Sequence, residues 1–287
     1  MTEFLSGAFG PVVLVFIVST MLASGLELTV REIFGPLRNI RITVSVLVAS
    51  YIIVPLIAIV ISKVTGIDQA LRYGLVIIAM AAGAEAGPKG TAISNGNVGL
   101  SVGILILSIG ISIFYVPLMI GLLLPDVHID KGHLLTKLLV TIALPIVLGL
   151  FIKARFEKFA DNIVHYVQKV STVFLILTAA LIIILNFNQI LGLFGTRAIL
   201  AAFLFIVAGF GTGYLFGWPD RGSRLAMGFM HGGRNSSISL VIASQVFHDK
   251  PQVLLMITVL ITMMVLVLIP LAYILKIKPD VKNKLSV

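Results

Sequence analysis

The chain of 287 residues contains no cysteine. Disulfides, thiolate nucleophiles and cysteine metal sites are therefore excluded. Charge is scarce as well: 11% of residues are Asp, Glu, Lys or Arg, against about 25% in an ordinary soluble domain. No Gly-rich phosphate loop, HExxH or GxSxG is present, so hydrolytic and nucleotide-driven chemistries lack their residues. No stretch is long or polar enough to form a soluble domain. What the chain has instead is apolar bulk, 59% of its residues, with a mean hydropathy of +1.11. A soluble globule of this size has too much surface to cover with so few charges. The composition implies an all-α polytopic membrane protein.

A helix needs roughly 20 apolar residues to cross about 30 Å of hydrocarbon. Nine runs qualify: 10–29, 42–62, 71–87, 97–124, 135–153, 167–187, 196–217, 225–247 and 252–276. They are continuous and rich in Leu, Ile and Val, without the alternation of barrel strands. Only Glu3 is charged before the first run, which therefore does not resemble a cleaved signal peptide. The net charge of +9 sits between the runs, so it reads as topology and not as a nucleic-acid footprint. Twelve basic residues fall in one set of connections: Arg31, Arg38, Arg41, Lys153, Arg155, Lys158, Arg221, Arg224, Lys276, Lys278, Lys282 and Lys284. Six fall in the other: Lys63, Arg72, Lys131, Lys137, Arg197 and Lys250. With nine spans, this bias predicts a multi-pass cell (inner) membrane protein with a cytoplasmic C-terminus and an external N-terminus.

Two runs are unlike the rest. The third ends in Gly83-Ala-Glu85-Ala-Gly87-Pro88-Lys89-Gly-Thr91-Ala-Ile-Ser94-Asn95, and the eighth contains His231-Gly-Gly-Arg234-Asn235-Ser236. Gly and Pro there predict interrupted helices, tolerated at membrane depth only where they are buried in protein or line a cavity. With Lys89 set against Arg234, Gly83 meets Gly228, Gly87 meets Gly232, Thr91 meets Ser236 and Ser94 meets Ser239. Paired interruptions with weak internal symmetry are the pattern of an inverted-repeat transporter, its site lying where two crossed discontinuous helices meet. The halves would be 1–130 and 131–287, with the broken spans at 71–95 and 221–247.

Ionisable groups inside spans are costly and mark function by default. Lys89, Arg234, Glu85 and His231 are those groups. Half-helix amino ends carry partial positive charge, so with Lys89 and Arg234 the site reads as electropositive and suited to a small organic anion, which Arg234 would grip with paired hydrogen bonds. Thr91, Ser94, Asn95, Asn235 and Ser236 would line the same cavity. Two alternatives stay open: Glu85 neutralising Lys89 across one helical turn, and His231 either carrying a proton or bonding a nearby carbonyl. Tyr51, Tyr115, Tyr214, Trp218 and Tyr273 read as interfacial belts, and Pro55, Pro117, Pro145 and Pro270 as kinks. Asn186, Asn188 and Gln189 read as a cap, and His128, Asp130 and His133 as a solvated loop.

At these residues the chain resembles the bile acid:sodium symporter family. Pro88-Lys-Gly90-Thr91-Ala92 with Ser94-Asn95 resembles the family's Pro-Gly-Gly-Thr-Ala-Ser-Asn break. Gly96-Asn97-Val98-Gly-Leu100-Ser101 resembles its next helix start, Met21-Leu-Ala-Ser-Gly25-Leu26-Glu27-Leu28 its early stretch, and Gly232-Gly-Arg234-Asn235 its second break. The resemblance implies two inverted sets of five helices in a panel and a core domain, this chain starting at the second helix. Two registers are open at the first break: one anchored on Pro88, and one sliding without a gap, which sets Glu85 at the family threonine. The resemblance also implies ion-coupling positions at Ser94, Asn95, Ser101 and Ser108, with Glu85 nearby. At the second break, Met230 stands at the family glutamate and Arg234 at its glutamine, a pattern unfavourable to sodium. The expected function is secondary transport of a small organic anion by alternating access, with no cofactor beyond sodium or a proton as coupling ion. A passive anion channel, a proton-coupled or uncoupled exchanger, and an intramembrane enzyme using Ser94 or Ser236 with His231 are the alternatives.

Overall fold

The computed structural model describes residues 2–27, 39–124, 127, 129–185, 196–247 and 249–277. Arg31, Arg38, His128, Asn186, Asn188, Gln189 and the tail lysines 278, 282 and 284 lie outside them. Among the described residues the chain is all-helical, with no sheet. Its helices are α1 (Thr2–Glu27), α2 (Ile40–Thr65), α3 (Gln69–Met80), α4 (Gly87–Ile93), α5 (Val98–Leu123), α6 (Lys131–Arg155), α7 (Glu157–Leu185), α8 (Ala198–Phe216), α9 (Arg221–Gly232), α10 (Ser236–Val246) and α11 (Pro251–Ile274). Six of these, namely α1, α2, α5, α6, α8 and α11, are long and apolar enough to cross a membrane. The third and eighth apolar runs fold as the short pairs α3–α4 and α9–α10. The sixth run belongs to a 29-residue helix that starts ahead of the apolar residues. There Lys153 pairs with Asp161 at 2.6 Å and with Glu157 at 3.5 Å, so a polar turn, invisible to hydropathy, begins α7.

The helices form two packed groups. In one, α1 lies against α6 and α7. Small residues make this possible: a Cβ on Gly149 would meet Leu22 O at 2.6 Å, and one on Gly25 would strike Ile146 O. Close backbone approach at glycines is the usual means of helix association where lipid removes the hydrophobic driving force. In the other group, α2, α3, α5, α8 and α11 surround the short helices, with Gly209 and Gly213 of α8 seated on the backbone of α9 at His231 and Met227. Outward faces are apolar. On α2, Ile52, Leu56, Val60 and Val64 are all exposed, at a four-residue spacing that puts them on one face. Such a stripe suits lipid and not water.

Prolines act at two places as local devices. Pro55 and Pro145 each follow a π-helical turn, Ala49–Ile53 in α2 and Leu139–Ala143 in α6. Proline removes a donor and crowds the preceding turn, and a wider turn relieves the clash. Pro88 behaves differently from its expected role as the interruption. It occupies the first turn of α4, where the missing N–H is an orphan in any helix. The interruption precedes it, at residues 81–86.

Candidate functional site

The π turn of α2 begins the site. Val54 N reaches back to Ala49 O, and Pro55 has no N–H, so Ser50 O loses its ordinary helical donors. Tyr51 O, whose partner one turn on would be Pro55, accepts Tyr115 OH at 2.6 Å instead. α3 then stops at Met80 and leaves its last four carbonyls to be satisfied. Ala81 N donates to Ile77 O and Ala82 N to Met80 O. The guanidinium of Arg234 takes the other two, donating from Nε to Ile78 O at 3.4 Å and from Nη2 to Ala79 O. Nη2 also donates to Ser50 O at 3.0 Å. Arg234 is 2% exposed, has no carboxylate partner among the described residues, and keeps Nη1 buried and unpartnered. A permanent cation thus sits on peptide carbonyls at the negative end of a broken helix.

Two carbonyls of the first break are paired across to the second. Asn235 N donates to Ala81 O at 2.9 Å and Asn235 Nδ2 to Gly83 O at 2.9 Å. Ser112 Oγ, on α5, accepts from Ala82 N and lies 3.2 Å from Ala82 O. Gly83 adopts φ +98°, and a Cβ there would meet Ile109 at 2.8 Å, so only glycine fits. In return the first break caps the second. Glu85 accepts Ser236 Oγ at 2.5 Å, Ser236 N at 3.1 Å and Ser237 N at 3.0 Å, while Asn235 Oδ1 accepts Ile238 N at 2.7 Å. The amino end of α10 therefore holds a carboxylate of this chain. Glu85 faces α10, and no Glu85–Lys89 ion pair forms.

Other sequence candidates fall elsewhere. Thr91 Oγ1 donates to Gly87 O and Ser94 Oγ to Thr91 O, both satisfied within α4. Asn95 Nδ2 donates to Ile277 O at an exposed end of the molecule, where Asn97 N donates to Gly222 O. These three residues are not brought to the crossing; Asn235 and Ser236 are. Ser101 Oγ bonds Val98 O within α5, and Ser108 is buried, its carbonyl accepting Tyr51 OH at 2.6 Å. His231 is fully buried. Its Nδ1 lies 2.7 Å from Met227 O, and its Nε2 lies 3.0 Å from Ser50 Oγ. Both ring nitrogens have partners.

Between the two helix groups lies a cavity of about 350 Å³. That is within the range of small-ligand sites. Its walls are the C-terminal halves of α1 and α11, the middle of α7, the first break with α4, and the second break. Phe16, Leu175, Phe229, Met264 and Leu268 make an apolar lining, and Thr20, whose hydroxyl lies 2.6 Å from Ser171 Oγ, adds a polar edge. Lys89 and Arg234 line it, and so do Glu85 and Glu27. The expected electropositive site is thus offset by two carboxylates. Ser50, Ser112, Glu27 and Gln168 are contributors that sequence reasoning passed over. Glu27 alone had a signal, as the one acid at the end of the first apolar run.

Residues 13–193 match the model of the sodium bile acid symporter family. The chain belongs to that family. Its members are membrane transporters and not enzymes. Among curated relatives, a probable sodium/metabolite cotransporter BASS1, chloroplastic, of Arabidopsis thaliana is 29% identical over 236 residues, covering 79% of this chain and 58% of its own length. An uncharacterized sodium-dependent transporter YocS of Bacillus subtilis is 24% identical, over 81% of this chain and 74% of its own. A probable sodium/metabolite cotransporter BASS2, chloroplastic, of Oryza sativa subsp. japonica is 30% identical, over 68% and 46% respectively. The chain spans just over half the length of the first of these relatives.

Proposed function

We propose that this family member carries a small carboxylate-bearing metabolite across the cell membrane by alternating access. The chain would cross nine times, with α3–α4 and α9–α10 as discontinuous crossings and residues 1–130 and 131–287 as inverted halves. The observation that carries this reading is the cavity itself. It lies between two separately packed helix groups, and its floor is the reciprocally bonded pair of breaks. Rocking one group against the other would close this cavity and open its counterpart. With the basic-rich connections in the cytoplasm, the described state faces inward. Lys89 is the exposed cation available to a carboxylate.

Sodium coupling, which the names of these relatives carry, is altered here in our reading. Arg234 acts as a tethered cation on the carbonyls of Ser50, Ile78 and Ala79. A second cation within about 4 Å would be opposed by on the order of 4 kcal/mol at an effective dielectric of 20, roughly a thousandfold in affinity. Counterflow in proteoliposomes tests the transport reading. Unlabelled carboxylate trapped inside should accelerate uptake of the labelled compound from outside. A passive channel gives no such stimulation, and its absence would defeat alternating access.

A further inference from the structure

Of the four charged groups that line the cavity, two are engaged within the breaks. Arg234 is held on three peptide carbonyls, with Nη1 alone unpartnered, and Glu85 on the amino end of α10, the place where a substrate carboxylate would otherwise be drawn. What remains is Lys89 on α4 and Glu27 at the end of α1, both exposed. They are of opposite sign and come from the two different helix groups. They make no ion pair within 4 Å of one another. Gln168 of α7 donates to Glu27 from its amide and fixes the carboxylate on that wall. The surface joining them is apolar, with Phe229 and Leu268 contributed by the core group.

From this we infer that the cavity takes a zwitterionic metabolite, its carboxylate on Lys89 and its ammonium or equivalent cationic group on Glu27. The inference rests on the cavity being the transport site. A plain carboxylate would satisfy Lys89 and bring a second negative charge toward Glu27. A plain amine would meet the opposite fault at Lys89. A molecule with both groups bridges the two helix groups, and an occupant that ties one wall to the other favours the closed arrangement needed to carry it across. Specificity would come from the repulsive charge as much as from the attractive one.

The test is competitive uptake into proteoliposomes of the full chain from a mixture of matched pairs: β-alanine with propionate, and phenylalanine with phenylpropionate, each quantified by mass spectrometry. The amino-substituted member should be taken up about tenfold to a hundredfold more than its partner. Glu27→Gln should abolish that ratio by raising uptake of the plain acid, while Lys89→Gln should lower uptake of both members. The gain in plain-acid uptake cannot come from a misfolded variant. Preference for the plain acids in the unmodified protein would overturn the zwitterion and leave the transport reading standing. Uptake of neither class would overturn both. An unchanged ratio in Glu27→Gln would overturn the role given to Glu27.

Discussion

Replacing Arg234 by alanine removes the only side chain among the described residues that satisfies Ile78 O and Ala79 O, and it frees Ser50 O as well. Hydrogen bonds to a charged group contribute about 1.5–3 kcal/mol each, so a simple sum over three would be about 4.5–9 kcal/mol. The sum overshoots, because the emptied space adjoins a polar cavity wall and water can enter it. Removing one partner from a buried charged arrangement typically costs about 3–5 kcal/mol, and we expect that range. In detergent the variant should melt earlier by on the order of 10 °C. The informative comparison is sodium against choline. If the guanidinium holds the place of a mobile cation, the unmodified protein should melt and bind substrate alike in both salts. Arg234→Ala should be stabilised by sodium alone, by about 2.7 kcal/mol once sodium reaches a hundredfold over its Kd. Arg234→Gln, which keeps an amide donor, covers the case in which the alanine variant fails to fold. Strong sodium stimulation of the unmodified protein, or an Arg234→Gln variant indifferent to sodium, would refute the tethered cation.

Three further outcomes are expected. Gly83→Ala forces a side chain into φ +98° and against Ile109, so it should destabilise by about 1–3 kcal/mol and lower the melting temperature of the purified protein. In this cysteine-free chain, single cysteines at Asp249 and Lys276 should label from opposite membrane faces, Lys276 from the cytoplasm; labelling from one face would remove a crossing from the count. Asp220, which caps α9, is held below its ordinary pKa of 3.8, first by the Ser223 hydroxyl and then by backbone N–H groups. A lowered folded pKa means its stabilisation is complete above the ordinary value and fades as pH falls through the folded one. Asp220→Ala should therefore lose stability at neutral pH, and the difference from the parent should shrink only in strong acid, as read by melting temperature against pH.

The apolar runs announced the helices because membrane helices must be apolar and of fixed length, a constraint that leaves a direct trace in residue order. The second break was equally legible: Gly232-Gly233-Arg234-Asn235 stops α9 where the glycines stand. The first break was displaced in our reading because Pro88 was the loudest residue, although proline is comfortable in a helix's first turn. Residues 81–86 form the actual interruption, and four of the six are alanine, a residue that propensity assigns to helix. With the break upstream of Pro88, Glu85 and not Thr91 reaches the crossing. Arg234 was visible as an unusual charge, but its carbonyl partners come from α2 and α3, far away in sequence. The role of Ser50 depends on a π turn that Pro55 causes, and sequence alone hinted only at a kink.

The socket of Arg234 has no side-chain walls in its bonding: its acceptors are three peptide oxygens, from Ser50, Ile78 and Ala79. An alanine or saturation scan across residues 78 and 79 would therefore pass over it, since every substitution keeps the oxygen in place. A profile of residue usage would record the arginine and miss the oxygens that hold it. A backbone probe would register the contact. Replacing the amide that contains Ala79 O by an ester weakens that oxygen as an acceptor while leaving every side chain intact.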